Sequence, residues 1–135
     1  MEDPGLVRFG PPVHQVGGSL FSLDLNKLFG FLPKRVYWIS DVPAELERGF
    51  HAHRSLTQVL ICLSGSVEVT VSTPLQSWSF TLGQGEEALF VPPGLWREVR
   101  NFTPGAVLLV LASDIYDADD YLREWESYVD WFDKR

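Results

Sequence analysis

Cysteine occurs once in this 135-residue chain, methionine once and histidine only three times. A single thiol, Cys62, forms no internal disulfide, and its place in an apolar run makes it a small core residue. No apolar run approaches the ~20 residues that a membrane-spanning helix requires. The first residues show no charged-then-apolar signal pattern, so the expected location is cytoplasmic and no membrane partner is expected. Basic residues are the minority, 11 against 18 acids for a net charge of −7, and no basic stripe marks a nucleic-acid surface. Much of the imbalance lies in residues 114–135, where eight acids face only Arg123, Lys134 and Arg135. That tail reads as a solvated helix face.

What the chain does have is apolar and aromatic content, 45% and 13%, enough for the core of one domain. Short strand signals follow one another. Residues 35–39, 57–63, 66–72, 77–82, 88–91, 96–99 and 106–112 are β-branched, aromatic or strictly alternating. Residues 57–63 are apolar on both faces, as in a strand covered on both sides. Residues 19–25 alternate weakly. Ser64-Gly65, Gly83-Gln84-Gly85 and Pro92-Pro93-Gly94 supply turns. With no helical period between the strands, the expected fold is all-β, a sandwich or small barrel. The expected layout is N-terminal strands at about 5–40, a barrel core at about 49–112 and a C-terminal amphipathic helix at about 118–133. In that helix Tyr121, Leu122, Trp125, Tyr128, Val129 and Phe132 would share a face, with Asp117 or Asp119 as cap.

The stretch with chemical content is Arg48-Gly49-Phe50-His51-Ala52-His53. Side chains two apart on a strand leave one face, so His51 and His53 project together. An imidazole titrates near working pH, and such a pair serves a metal, a proton or an anion. Tyr37 offers a hydroxyl or a barrel-wall ring. Arg48 and Arg35 offer charge for a phosphate or simply a solvated surface.

The spacing Gly49-x-His51-x-His53-x4-Gln58-x6-Gly65, then Gly85-x6-Pro92-Pro93-Gly94-x2-Arg97-x3-Asn101, resembles the two motifs of cupins. That resemblance implies a jelly-roll barrel whose four metal-ligand positions are His51, His53, Gln58 and Arg97. Glutamine is a poor ligand and a guanidinium repels a cation, so no metal is expected. Within cupins the chain is more specifically similar to the nucleotide-sugar 3,4-ketoisomerases. The similarity rests on Arg35-Val36-Tyr37, the Arg48–His53 stretch, Gln58 to Val69, Pro92-Pro93-Gly94-Leu95-Trp96, residues 107–113 and Tyr116-Asp117-x2-Asp120-Tyr121-Leu122-Arg123. It covers about residues 17–130.

This resemblance implies a cofactor-free homodimer with exchanged N-terminal strands. It implies an isomerase that moves the ketone of a dTDP-linked 4-keto-6-deoxy sugar, dTDP-4-dehydro-6-deoxy-D-glucose, from C4 to C3. An aminotransferase then makes a 3-amino-3,6-dideoxyhexose. His51, His53 and Tyr37 become the expected catalytic residues, with His53 the expected C3 base because it lies deeper along its strand. Arg48, Arg35, Arg97, Gln58 and Trp96 become the expected substrate contacts. Arg97 implies the gluco configuration at C4, whereas Gly17 stands where relatives carry a larger side chain. Three alternatives stay open: a sugar 3,5-epimerase, a non-catalytic sugar-binding cupin and a metal-dependent oxygenase.

Overall fold

Alternation along the strands divides the chain into two facing sheets. A computed structural model describes residues 1–9, 13–15, 17–83 and 87–135. Its elements are β1 (Gly5–Arg8), β2 (Val13–Gln15), β3 (Gly18–Leu20), α1 (Leu25–Phe29), β4 (Arg35–Ser40), β5 (Arg48–His53), β6 (Gln58–Ser64) and β7 (Ser66–Ser72). They continue with β8 (Ser77–Gly83), β9 (Glu87–Val91), β10 (Trp96–Arg100), β11 (Val107–Ala112), a 3-10 turn (Ala118–Asp120), β12 (Tyr121–Leu122) and α2 (Trp125–Lys134). One sheet runs β1-β9-β6-β11-β4 and the other β12-β5-β10-β7-β8, with β2 and β3 pairing separately. Two antiparallel five-stranded sheets face to face form the cupin jelly roll.

The barrel is dry at one end and polar at the other. Val67, Val69 and Val71 of β7 sit opposite Leu82, Phe80 and Trp78 of β8. They pack with Leu60, Cys62, Leu89, Val91 and Leu108 into one core, each fully buried side chain contributing about 1.5–3 kcal/mol. The inward rows of the first sheet change character toward Arg35. Tyr37 aligns with Val110 and Leu60, and Arg35 with Ala112 and Gln58. Polar side chains thus replace aliphatic ones at one end of the barrel, and the site lies there.

Two expectations about elements are corrected. Residues 19–25 do not form one strand. β3 ends at Leu20, and α1 begins after Asp24, whose carboxylate accepts from the Lys27 amide at 3.3 Å, and ends at Gly30 with φ +71°. The C-terminal helix does not begin near 118. Tyr121 and Leu122 are strand residues paired with His53 and Ala52, and α2 starts only at Trp125. Asp117 caps the 3-10 turn through the Asp119 amide at 3.0 Å. Glu124 occupies the N-cap of α2 without a side-chain bond.

α2 closes one flank of the second sheet. Tyr128, fully buried, donates its hydroxyl to the carbonyls of Gly94 (2.8 Å) and Ser72 (3.2 Å). Of the expected turns, Gln84 and Gly85 lie outside the described residues. No helix among the described residues is long and apolar enough to cross a membrane.

Candidate active site

The site begins with an irregularity in β5. Across β10, Arg97 pairs with His51 but Glu98 pairs with Gly49, leaving Phe50 as an extra residue. Gly49 and Phe50 both take positive φ, +92° and +57°, the second a conformation that costs a side-chain-bearing residue energy. A Cβ on Gly49 would lie 2.8 Å from the Arg97 carbonyl oxygen. This bulge lets the exposed loop end of β5 continue into the barrel with both histidine side chains directed inward.

The two rings meet edge to face, with centroids 4.9 Å apart. Their environments differ. His51 lines a cavity of about 400 Å³, while His53 is fully buried behind it. Tyr121 covers both, 5.0 Å from the His51 ring and 4.3 Å from the His53 ring. Burial, then the charge of Arg97, pushes His51 down from 6.5 to about 4. The same two causes push His53 to about 2. Both are neutral at pH 7. His53 Nδ1 lies 3.1 Å from Asp120 Oδ2.

From Arg97, the strand neighbour of His51, a directed chain of three side chains crosses to the facing sheet. Arg97 is 3% exposed and donates to Gln58 Oε1 and, at 3.0 Å, to the Leu95 carbonyl. With its oxygen taken, Gln58 turns its amide nitrogen to Tyr37 and donates to Oη at 3.1 Å. The Tyr37 hydroxyl proton is thereby free to be donated elsewhere, and burial raises the phenol above its usual value and keeps it protonated. Burial lowers Arg97 only to about 10, so it stays a cation.

The cavity wall carries Arg35, Arg48, Arg97 and Arg123 and, among the described residues, no carboxylate, in a chain whose net charge is −7. Such a cavity selects an anion. Arg35 stacks over the Tyr37 and Tyr116 rings, at 5.1 and 5.6 Å, and Arg123 over Tyr121 at 4.1 Å. The donor set does not fit a cation. Arg97 brings a positive charge to the fourth ligand position, and the described residues contain no cluster of three His, Cys, Asp or Glu suited to a metal.

Of the expected site residues, Arg35, Tyr37, Arg48, His51, Gln58 and Arg97 come together on the cavity, with His53 immediately behind. Trp96 does not, which corrects its expected role as a substrate contact. Alternation in β10 turns it away from Arg97, and it packs against Trp125 and Tyr128 beneath α2. Tyr116, Tyr121 and Arg123 also line the cavity. The sequence hid them because Tyr121 fits the helical stripe, and only the pairing of β12 with β5 brings this segment over the histidines.

The chain matches known proteins along almost its whole length. The family model described as "FdtA: WxcM-like, C-terminal" matches residues 6–133. The chain is 41% identical over 117 residues to TDP-4-oxo-6-deoxy-alpha-D-glucose-3,4-oxoisomerase of Aneurinibacillus thermoaerophilus, covering 87% of this chain and 84% of that one. It also superposes on a histidine-to-asparagine mutant of the 3,4-ketoisomerase QdtA from Thermoanaerobacterium thermosaccharolyticum, in complex with TDP-4-keto-6-deoxyglucose. The TM-score is 0.93 at 37% identity, over 100% of this chain and 97% of that one. For the TDP-quinovose 3,4-ketoisomerase WlaRB from Campylobacter jejuni the values are 0.88 and 36%, over 96% and 99%.

Proposed function

The chain belongs to the FdtA family of TDP-sugar 3,4-ketoisomerases, and from that premise we propose how its cavity performs the reaction. The substrate is TDP-4-keto-6-deoxyglucose, whose ketone moves from C4 to C3. The change is redox-neutral. C3 loses a proton and C4 gains one, while a second proton passes from the C3 oxygen to the C4 oxygen through an enediol.

His51 removes the C3 proton. It is the histidine that borders the cavity, and as a neutral imidazole at pH 7 it has a free lone pair. This assignment reverses the order expected from depth along the strand, because His51 borders the cavity and His53 lies behind it. His53 serves as the second proton-transfer group. Arg97 faces the developing enediolate with a fixed charge, and the Tyr37 hydroxyl, aimed by Gln58, donates to the same oxygens. Arg35, Arg48 and Arg123 receive the diphosphate. The observation that carries this reading is a neutral histidine on a cavity wall that bears four arginines and, among the described residues, no acid.

The mechanism uses these side chains alone and calls for no cofactor. Arg97 at the fourth cupin position, together with the 36% identity to a TDP-quinovose enzyme, supports the gluco configuration at C4. A second copy of the chain completes the assembly. The outer face of the first sheet exposes Val36, Trp38 and Leu63, and Leu63 shares a groove with Phe21, an apolar surface that a homodimer covers. The protein works in the cytoplasm, and its product feeds an aminotransferase that makes a 3-amino-3,6-dideoxyhexose.

Proton NMR of TDP-4-keto-6-deoxyglucose with the protein in H2O buffer tests the reading. The expected product is the 3-keto isomer with a large H4–H5 coupling. A small coupling would overturn the configuration. Unchanged substrate with broadened resonances would replace isomerisation by binding.

A further inference from the structure

Asp120 lies outside the cavity wall but is bonded to its neighbours more fully than any surface function requires. Its Oδ1 accepts from the Ser55 amide (2.8 Å) and hydroxyl (2.7 Å). Its Oδ2 faces the Leu56 amide at 3.3 Å and His53 Nδ1 at 3.1 Å. The Asp120 carbonyl accepts the Arg54 amide at 2.9 Å, which fixes the backbone as well. Both carboxylate oxygens are held by donors, so the bond to His53 has one sense: the imidazole gives Nδ1–H and the carboxylate accepts. His53 Nε2 is buried and has no hydrogen-bond partner among the described residues, although buried polar nitrogens are normally paired.

We propose that Asp120 is a positioning residue that locks His53 in the Nδ1–H tautomer and so holds Nε2 open as the nitrogen that accepts and returns a proton during turnover. This rests on the isomerase reading above. Asp120 itself gains no proton. Nε2 takes the proton of the C3 hydroxyl and returns it to the C4 oxygen in the same cycle, and the Nδ1–H···carboxylate bond persists throughout. The role matches that of a buried carboxylate orienting a catalytic imidazole on other scaffolds, here reached through a strap that β12 ties to β5.

The arrangement also explains the Ser55 contacts. An Asp120 carboxylate free to rotate would offer His53 Nδ1 either oxygen or none. The two bonds from Ser55 remove that freedom, and His53 keeps a single orientation against His51 and Tyr121.

Two-bond 1H–15N spectra of the imidazoles in the 15N-labelled protein read the tautomer without reference to activity. His53 is expected as Nδ1–H with a pyridine-like Nε2, and an Nε2–H tautomer would overturn the proposal. In Asp120→Asn an amide nitrogen facing Nδ1 forces the opposite tautomer. The expected result is a fall in kcat of about a hundredfold or more with KM changed less than about threefold. Asp120→Glu restores the Nδ1–H signal and part of kcat. Wild-type kcat in Asp120→Asn would overturn the proposal while leaving the isomerase intact. If Asp120→Asn does not fold, Ser55→Ala replaces it, with a several-fold loss of kcat and the tautomer retained. Unchanged kcat in Ser55→Ala would overturn the clamp. An inactive wild-type protein with His53 still Nδ1–H would contradict the isomerase reading and leave the tautomer lock standing.

Discussion

At the scale of single residues, position relative to the cavity decides role more than residue type does. His51 and His53 are two residues apart, share a face and feel the same arginine, yet only His51 meets the cavity. His51→Asn keeps a similar volume and removes the proposed base. It is expected to lower kcat by about 10²–10⁴-fold while TDP binding, measured by calorimetry, stays within a few-fold of wild type. Gln58→Glu tests the directed chain, since a carboxylate ion-pairs with Arg97 and leaves the Tyr37 oxygen without its donor. One oriented bond of about 1 kcal/mol is at stake, so kcat should fall about fivefold to tenfold in steady-state assays. Most of this set was legible in the sequence, because i,i+2 spacing on a strand is robust and the arginine departs from a metal-binding pattern. Trp96 misled because its neighbours in the sequence are site residues while its side chain points to the opposite face.

At the scale of elements, two devices bring the site together. The bulge at Gly49-Phe50 aims β5, and Gly49→Ala would press a Cβ against the Arg97 carbonyl at a φ of +92°. A stability loss of about 1–3 kcal/mol is expected from urea denaturation, together with loss of activity as His51 shifts. The second device is the strap from Asp117 to Arg123, which carries Tyr121 over both histidines. A stripe with steps of one, three and four residues reads as helix, but main-chain pairing of Tyr121 with His53 prevails over that period. Nothing local in the sequence announces a two-residue strand whose partner lies about seventy positions away. α2 proper begins only where that pairing stops, anchored by the Tyr128 hydroxyl. Tyr128→Phe leaves the Gly94 carbonyl unpaired and should cost about 1–2 kcal/mol without changing the site's chemistry.

At the scale of the whole molecule, the barrel is an acidic protein wrapped around a basic interior. Burial of neutral histidines there couples stability to pH. Both have folded pKa values below the unfolded 6.5, so between about pH 6.5 and 4 the unfolded chain binds more protons. Stability should therefore fall as pH drops through that range and level off above it, as thermal unfolding at a series of pH values would show. A sandwich or small barrel was readable from alternation and the jelly roll from the cupin resemblance, whereas the grouping of four arginines was not. They come from Arg35, Arg48, Arg97 and Arg123, on four different segments, and only closure of the barrel collects them. The most direct test of the account follows TDP-4-keto-6-deoxyglucose by NMR in D2O with wild-type protein and with His51→Asn. The account predicts ketone migration to C3 with H5 kept as protium in the wild type, and neither migration nor C3 exchange in the variant. Exchange at C5 without migration, or an unimpaired His51→Asn protein, would contradict it.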